Sequence, residues 1–271
     1  MALTTIGLMA LLGCFTGFMA GLLGIGGGMI ITPFLIMLIP SSLIPHEHIV
    51  HVAIATSLAT IAFTSLSSVR AHHKRGAVLW NVVASVAPGI LVGAVVGAQI
   101  AGWLPTFWLS LIFAAFVGFS AFKMFLNKSP RPDRNLPGTM GKFFMGIAIG
   151  ILSALVGAGG GFISVPWMVW CNVKMQNAVA TSAAFGFPIA LFGTIGYIIS
   201  GWNVSGLPLW PIDLGYICIP ALFSVAITSV LFAPLGAKVA HSIDTKPLKK
   251  IFACLLCFVC LYMIRQAYLA M

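Results

Sequence analysis

The sequence predicts an all-α polytopic membrane protein made of two inverted five-segment repeats, each with a short broken helix after a glycine loop. The first observation is composition: 60% of the 271 residues are hydrophobic, 7% are charged, and the mean hydropathy is +1.09. A soluble chain of this length could not bury so much apolar surface. The second observation is that apolar windows of about 20 residues, the length of a spanning helix, fill the chain. The third is that a glycine loop followed by a short apolar run occurs twice.

Ten apolar segments follow one another along the chain. They are residues 3–23, 29–40, 49–69, 79–103, 107–126, 143–156, 162–171, 178–199, 212–232 and 248–269. The first lacks the basic start and small-residue cleavage site of a secretory signal, so we interpret it as a retained helix. The second is too short to cross, because twelve residues at 1.5 Å each extend about 18 Å into a hydrocarbon core of about 30 Å. The glycine loop before it is therefore expected inside the membrane profile.

The two halves of the sequence match in detail. A glycine loop with a following proline occupies residues 24–33 and returns at 157–166, an offset of 133. An Ala-Thr-Ser triplet at 55–57 returns at 180–182, an offset of 125. This is an internal repeat. It divides the chain into a first membrane repeat (1–126), a cytoplasmic linker (127–142) and a second membrane repeat (143–271).

The basic residues predict the topology. Each half has five segments, an odd number, so if every segment changes sides, the second half enters the membrane from the face opposite the first. When the basic loops are placed in the cytoplasm, 13 of the 14 Lys and Arg residues lie there and only Arg265 lies outside. Both termini are then on the outer side. The net charge of +10 reflects this insertion polarity, so the bilayer is the expected partner and nucleic acid is not.

The glycine loops are the candidate substrate site. A half-helix that begins inside the membrane points free N–H groups and its positive dipole end into the protein, which favours an anion. Broken helices at equivalent places in inverted repeats are typical of a transporter's binding site. Two alternatives remain, since such glycines also allow close helix packing and such hydroxyls also bond backbone carbonyls. The candidate substrate-binding residues are Gly26, Gly27, Gly28, Thr56, Ser57, Gly159, Gly160, Gly161, Thr181 and Ser182.

The four acidic residues lie in loops or at segment ends. A mid-membrane carboxylate relay of the kind many pumps use is therefore not expected, and a site with donors but no acids prefers an anion. Proton coupling would have to involve histidines such as His51 or the substrate itself, and we expect His51 to be a hydrogen-bonded structural residue. Arg70 is the best-placed fixed charge, although a topology marker would look the same. No catalytic set, metal cluster or cofactor motif is evident, so an enzyme is not expected.

The sequence resembles one family of membrane permeases. The resemblance rests on the duplicated glycine loops and Ala-Thr-Ser triplets, on His72 with Gly76, on Tyr197 with Gly201, and on the stretches "APGILVGAVVGAQIAGWLP" and "GAKVAHSIDTKPLKKIFACLL". These features are similar to the sulfite exporter TauE/SafE family. The resemblance implies a bacterial inner-membrane carrier that exports sulfite or a small organosulfonate such as sulfoacetate. Arg70, His72 and Tyr197 are the candidate gating or charge-bearing residues.

One connection departs from the family pattern. The stretch "MLIPSSLIPHEHIVH" is long and carries three histidines and Glu47 on the predicted outer side. Two transport classes remain open, a secondary carrier and a passive channel for small anions, and the carrier could also work in uptake. Inverted halves with broken helices favour the carrier. The sequence carries no prediction of oligomeric state.

Overall fold

The computed structural model describes residues 3–24, 27–39, 44–126, 135–202, 204, 214–240 and 246–270. This described part of the chain contains ten helices and no strand. The helices are α1 (Leu3–Leu23), α2 (Gly28–Leu38), α3 (Ile49–His73), α4 (Trp80–Trp103), α5 (Thr106–Leu126), α6 (Thr139–Val156), α7 (Gly161–Trp170), α8 (Met175–Gly201), α9 (Ile219–Ala240) and α10 (Lys246–Leu269). Eight are long and apolar enough to cross a membrane, whereas α2 and α7 have 11 and 10 residues. The all-α polytopic fold is confirmed.

Nine of the ten predicted segments match a helix to within four residues at each end. The bounds predicted for the ninth segment along the chain are wrong. It was expected at 212–232, whereas α9 begins at Ile219 and ends at Ala240. The helix begins late because Gly215, with φ of 56°, turns the chain just before it. It ends late because Gly236 packs on α1, where an added Cβ would lie 1.9 Å from the Phe18 carbonyl oxygen. Hydropathy alone does not report such a contact.

The helix pairs follow a regular pattern. The most extensive interfaces are α1 with α9 and α4 with α6, followed by α5 with α10 and α3 with α8. Next come α4 with α8 and α3 with α9, then α2 with α3 and α7 with α8. If α1–α5 are matched in order to α6–α10, each of these pairs has its counterpart or is its own counterpart. The pattern supports the inverted repeat, which stays a prediction.

Close glycine contacts hold the two largest interfaces together. An added Cβ at Gly89 of α4 would lie 2.0 Å from the Phe143 carbonyl oxygen, and one at Gly17 of α1 would lie 2.3 Å from the Ser229 carbonyl oxygen. Small residues of this kind allow backbones to approach each other within membranes. Glycine therefore serves packing in α1 and α4, and its role in the loops has to be judged from the loops themselves.

Two ends of the bundle can be distinguished by the chain segments that meet there. The start of α3, the turn between α4 and α5, the segment before α9 and the end of α10 surround one cavity. At the other end, the connection between α3 and α4 bonds to the start of α8, as when Asn177 Nδ2 donates to the Ala77 carbonyl at 3.2 Å. Each long helix passes from one end to the other, as a multi-pass chain requires.

Candidate functional site

Equivalent glycines of the two loops have the same left-handed backbone conformation. Gly24 and Gly27 have φ of 66° and 73°, and Gly157 and Gly160 have φ of 64° and 76°. These left-handed values favour glycine. Gly27 and Gly160 are the N-caps of α2 and α7, and neither helix has a side-chain cap. The first turn of each half-helix therefore offers its N–H groups to something other than a capping side chain.

The loops touch each other directly. An added Cβ at Gly28 would lie 1.9 Å from the Gly157 carbonyl oxygen, so no side chain fits at position 28. An added Cβ at Gly27 would lie 2.9 Å from the Thr16 carbonyl oxygen, and one at Gly160 would lie 2.5 Å from Ile189 Cδ1. The start of α2 therefore meets Gly157, which ends α6 and begins the second glycine loop, in the interior of the bundle. In this conformation, backbone fills the space between Gly28 and Gly157.

The predicted serines bond the loop of the opposite half. Ser57 Oγ on α3 donates to the Gly157 carbonyl at 3.2 Å, and Ser182 Oγ on α8 donates to the Gly24 carbonyl at 3.1 Å. Both serines are fully buried. Gly24 and Gly157 occupy equivalent places in the repeat, as do Ser57 and Ser182, so the two bonds are counterparts. Ser57 therefore joins α3 to the glycine loop of the second half, and Ser182 joins α8 to the glycine loop of the first half.

The predicted threonines accept bonds at the starts of two other helices. Thr56 Oγ1 accepts from the Cys218 N–H at 2.9 Å, just before α9, and Thr181 Oγ1 accepts from the Leu79 N–H at 3.0 Å, just before α4. These bonds are also counterparts, and each joins the two halves. The threonines thus join α3 to the start of α9 and α8 to the start of α4, which are here called the seams between the halves. Their hydroxyl oxygens bond these backbone N–H groups and not the glycine loops.

The candidate gating residues fall into two groups. His72 Nε2 lies 3.2 Å from the Gly21 carbonyl at the end of α1, and Tyr197 O–H donates to the Ala154 carbonyl at the end of α6 at 3.1 Å. Both side chains are fully buried. They occupy equivalent positions and bond equivalent carbonyls. Arg70, in contrast, is exposed near the end of α3.

The remaining site glycines are placed as follows. Gly26 lies outside the described residues. Gly161 is the buried first residue of α7, and Gly159 is buried, with its carbonyl oxygen 3.8 Å from an added Cβ at Gly186 of α8.

Several polar groups lie beside the loops but outside the predicted site. Ser164 Oγ donates to Ser182 Oγ at 2.7 Å and extends the serine contact into α7. The buried hydroxyls of Thr32, Ser68 and Ser153 have no hydrogen-bond partner within the described structure. Thr32 and Ser153 lie on mostly apolar helices, where a single hydroxyl gives no sequence signal, whereas Ser68 belongs to α3, whose many hydroxyls favour a helix that lines a wet path.

A small cavity lies beside Gly24 and is lined by Ser68, Ser65 and Gly186, among others. Its volume of about 10 Å³ suits roughly one water molecule. The unpaired Ser68 hydroxyl is 2% exposed. The region of the glycine loops is thus closed and nearly filled in this conformation, with spare donors at its edge.

Comparison with known proteins gives a family match over almost the whole chain. The family described as "Sulfite exporter TauE/SafE" matches residues 9–263. A probable membrane transporter protein of Haemophilus influenzae is 35% identical over 262 residues, covering 96% of this chain and 98% of that protein. A probable membrane transporter protein of Methanocaldococcus jannaschii is 27% identical, covering 95% and 94%. One of Bacillus subtilis is 29% identical, covering 74% and 82%. No solved structure matches the chain.

Proposed function

Since this chain belongs to the sulfite exporter TauE/SafE family, we propose that it is a secondary carrier for a small sulfur-containing anion. The substrate is sulfite or an organosulfonate such as sulfoacetate, and the direction is export across the bacterial inner membrane. Its relatives are probable membrane transporters, and its eight apolar helices fit a multi-pass membrane protein. The anion, the direction and the inner-membrane location are our proposal.

The observation that carries the proposal is the contact between the two glycine loops, where Gly28 at the start of α2 meets the Gly157 carbonyl. Each loop leads into the positive N-terminal end of a half-helix, and its left-handed glycines leave the backbone accessible. Each helix end contributes about 0.3–1 kcal/mol toward an anion, and up to about 2 when partly buried. Charge-assisted bonds from N–H groups add about 1.5–3 kcal/mol each. A few such contacts could hold a sulfonate without an arginine.

Substrate access requires the loops to separate. In the described conformation, Gly28 and Gly157 are in contact, and the cavity beside Gly24 holds only about one water. The two serine bonds and the two threonine bonds cross between halves. A rocking motion of one half against the other would break the threonine bond at one end of the bundle and keep the threonine bond at the other end. This is the motion expected of inverted-repeat carriers.

Counterflow in proteoliposomes tests this function. If the protein is a carrier, proteoliposomes loaded with unlabelled sulfite or sulfoacetate should take up the labelled anion faster than empty proteoliposomes do, because a site that carries substrate outward is returned quickly to the inward direction. A channel would show no such acceleration. A thermal-shift screen of sulfite, sulfate, thiosulfate, sulfoacetate, taurine and simple carboxylates on the purified protein identifies the preferred anion. Stabilisation by carboxylates alone would contradict the sulfur-anion assignment.

A further inference from the structure

A cavity of about 700 Å³, here called the vestibule, opens at the end of the bundle where α3 begins and α10 ends. It is lined by residues 45–48, 51, 102–106, 216, 266, 269 and 270. No lysine or arginine is among them, and the titratable side chains are His46, Glu47, His48, His51 and Tyr216. These histidines belong to the connection that departs from the family pattern.

His51 ties the start of α3 to the turn between α4 and α5. Its Nε2 lies 3.0 Å from the Ala101 carbonyl and 3.1 Å from the Leu104 carbonyl. Carbonyl oxygens only accept, so Nε2 carries the proton. The ring is 3% exposed, and its Nδ1 is buried with no hydrogen-bond partner among the residues that the structure describes. The structural hydrogen bond expected for His51 is present, and the second nitrogen is left unpaired.

The His51 ring also packs on the segment that leads into α9. It stacks on Tyr216 with ring centroids 5.2 Å apart and 26° between the planes. Burial raises the pKa of the Tyr216 phenol, so Tyr216 stays neutral at physiological pH. Two residues later, the Cys218 N–H donates to Thr56 on α3. The imidazole on α3 therefore contacts two other segments at this end, the α4–α5 turn and the segment before α9. It lies next to the seam formed by the bond between Cys218 and Thr56.

The groups that face His51 can be named element by element. On its own side, His48 lies 6.1 Å away between ring centroids, and His48 Nε2 is 3.6 Å from the exposed Glu47 carboxylate. The α4–α5 turn contributes only carbonyls and the Thr106 hydroxyl, which bonds the Glu47 carbonyl. Two further groups complete the surroundings: Tyr197 of α8 lies behind Tyr216, and Gln266 of α10 bonds Tyr262. The nearby cation Arg265 is exposed and does not line the vestibule.

These surroundings suit a neutral ring and not a charged one. A proton added at Nδ1 would create a buried N–H donor without an acceptor, on a cation whose nearest ring neighbours are the neutral phenol of Tyr216 and the imidazole of His48. An unpaired buried charge is costly, so the ring would turn Nδ1 toward the water of the vestibule. Turning the ring breaks its bonds to the α4–α5 turn and its stack on Tyr216. No group of three or more His, Cys, Asp or Glu in the described structure could hold a metal ion, which leaves the proton as the ligand.

We propose that His51 is a proton-binding site that controls the opening of the vestibule end. When neutral, it holds α3, the α4–α5 turn and the Tyr216 segment together. When protonated from the vestibule, it releases them, so acid on this side promotes opening. His48 lies between His51 and Glu47 and is 22% exposed, which makes it the route by which the proton arrives. The effect on transport rests on the proposed carrier function, but the opening itself does not.

Hydrogen–deuterium exchange of the full chain in detergent tests the opening without any substrate. Exchange is followed in peptides that cover 99–106 and 214–219 at pH 5.5 and 7.5, corrected for the intrinsic pH dependence of amide exchange. In the parent, corrected protection should fall several-fold on acidification, with about tenfold as the limit for a single histidine that has its ordinary pKa in the open state. His51→Gln keeps a donor for the carbonyls and is always neutral, so its protection should not depend on pH. His73→Gln, at the opposite end of α3, is the matched control and should behave as the parent.

Two results would overturn the inference: corrected protection in the parent that is the same at both pH values, or the same loss on acidification in His51→Gln. Unchanged protection in the parent overturns the inference even if the variant does not fold. Counterflow of labelled sulfoacetate, measured at the same two external pH values, then links opening to transport and should be faster at pH 5.5 in the parent and in His73→Gln but not in His51→Gln. If the exchange result holds and counterflow is absent, the carrier proposal fails and the proton site stands.

Discussion

Replacing Gly28 by alanine should weaken anion binding. The added Cβ would lie 1.9 Å from the Gly157 carbonyl oxygen, 1.5 Å short of the 3.4 Å at which ordinary contact begins. A backbone atom cannot rotate away as a flexible side chain can, so the first turn of α2 must shift from the position in which its N–H groups would meet the anion. Ile61 Cδ1, at 2.6 Å, must move as well.

The magnitude follows from the contacts that are lost. Overpacking of this kind costs about 1–3 kcal/mol, and losing the Ser57 bond to Gly157 costs about 1 kcal/mol more. Displacing the first turn of α2 removes at least one charge-assisted bond to the anion, worth about 1.5–3 kcal/mol. Since about 1.4 kcal/mol corresponds to a tenfold change in affinity, the affinity for sulfite or sulfoacetate should fall roughly 10- to 100-fold.

Calorimetric titration of the purified protein measures this effect. The matched control is Gly7→Ala on α1, where an added Cβ meets nothing within 4 Å and φ is ordinary. It should bind as the parent does. Size-exclusion profile and melting temperature show whether each variant is folded. A folded Gly28→Ala protein that binds the anion with parental affinity would refute the site between the half-helix starts.

Three further predictions follow from the contacts and the charge pattern. Thr56→Val leaves a buried backbone N–H without its acceptor and Thr181→Val leaves a partly buried one, so each should lower the free energy of unfolding by about 1–3 kcal/mol. The two losses should be similar because the bonds are counterparts, and chemical denaturation would show a clear inequality. Arg70→Gln should leave anion affinity unchanged, because the Arg70 side chain is exposed. Loss of binding in that variant would place the anion at side-chain charge instead. A reporter fused at Asn135 should be cytoplasmic and one at Asn203, which lies outside the described residues, periplasmic; the same location for both would refute the inverted topology.

Much of the helical architecture is predictable from the sequence because hydropathy acts locally. A window of apolar residues reports the need for a spanning helix wherever the chain places it, and the short segments follow from length alone. The failure at α9 came from Gly215 and Gly236, whose effects depend on a turn and on the surface of α1. Such tertiary contacts have no counterpart in a hydropathy window.

The candidate site was predictable in its members and not in its bonds. Duplication drew attention to Thr56, Ser57 and their counterparts, but an offset of 125 does not say which atom each hydroxyl meets. Ser57 bonds a carbonyl 100 residues away, and Thr56 accepts from an amide 162 residues away. The stack of His51 on Tyr216 is of the same kind. Contacts at such separations are determined by packing of the two halves, which no local pattern encodes.

The two seam bonds suggest how one carrier could open at either end. The Cys218 N–H bond to Thr56 lies behind the vestibule, and the Leu79 N–H bond to Thr181 lies at the opposite end of the bundle. Because the bonds are counterparts, breaking one while keeping the other gives two states of closely similar energy, as alternating access requires. The surroundings differ, since buried His51 stacks on Tyr216 next to the first bond, whereas exposed His73 accepts a hydrogen bond from Trp80 next to the second. In the proposed cycle, the two related halves give two conformations of similar energy. Protonation of His51 then makes the equilibrium between them depend on the proton concentration at one end.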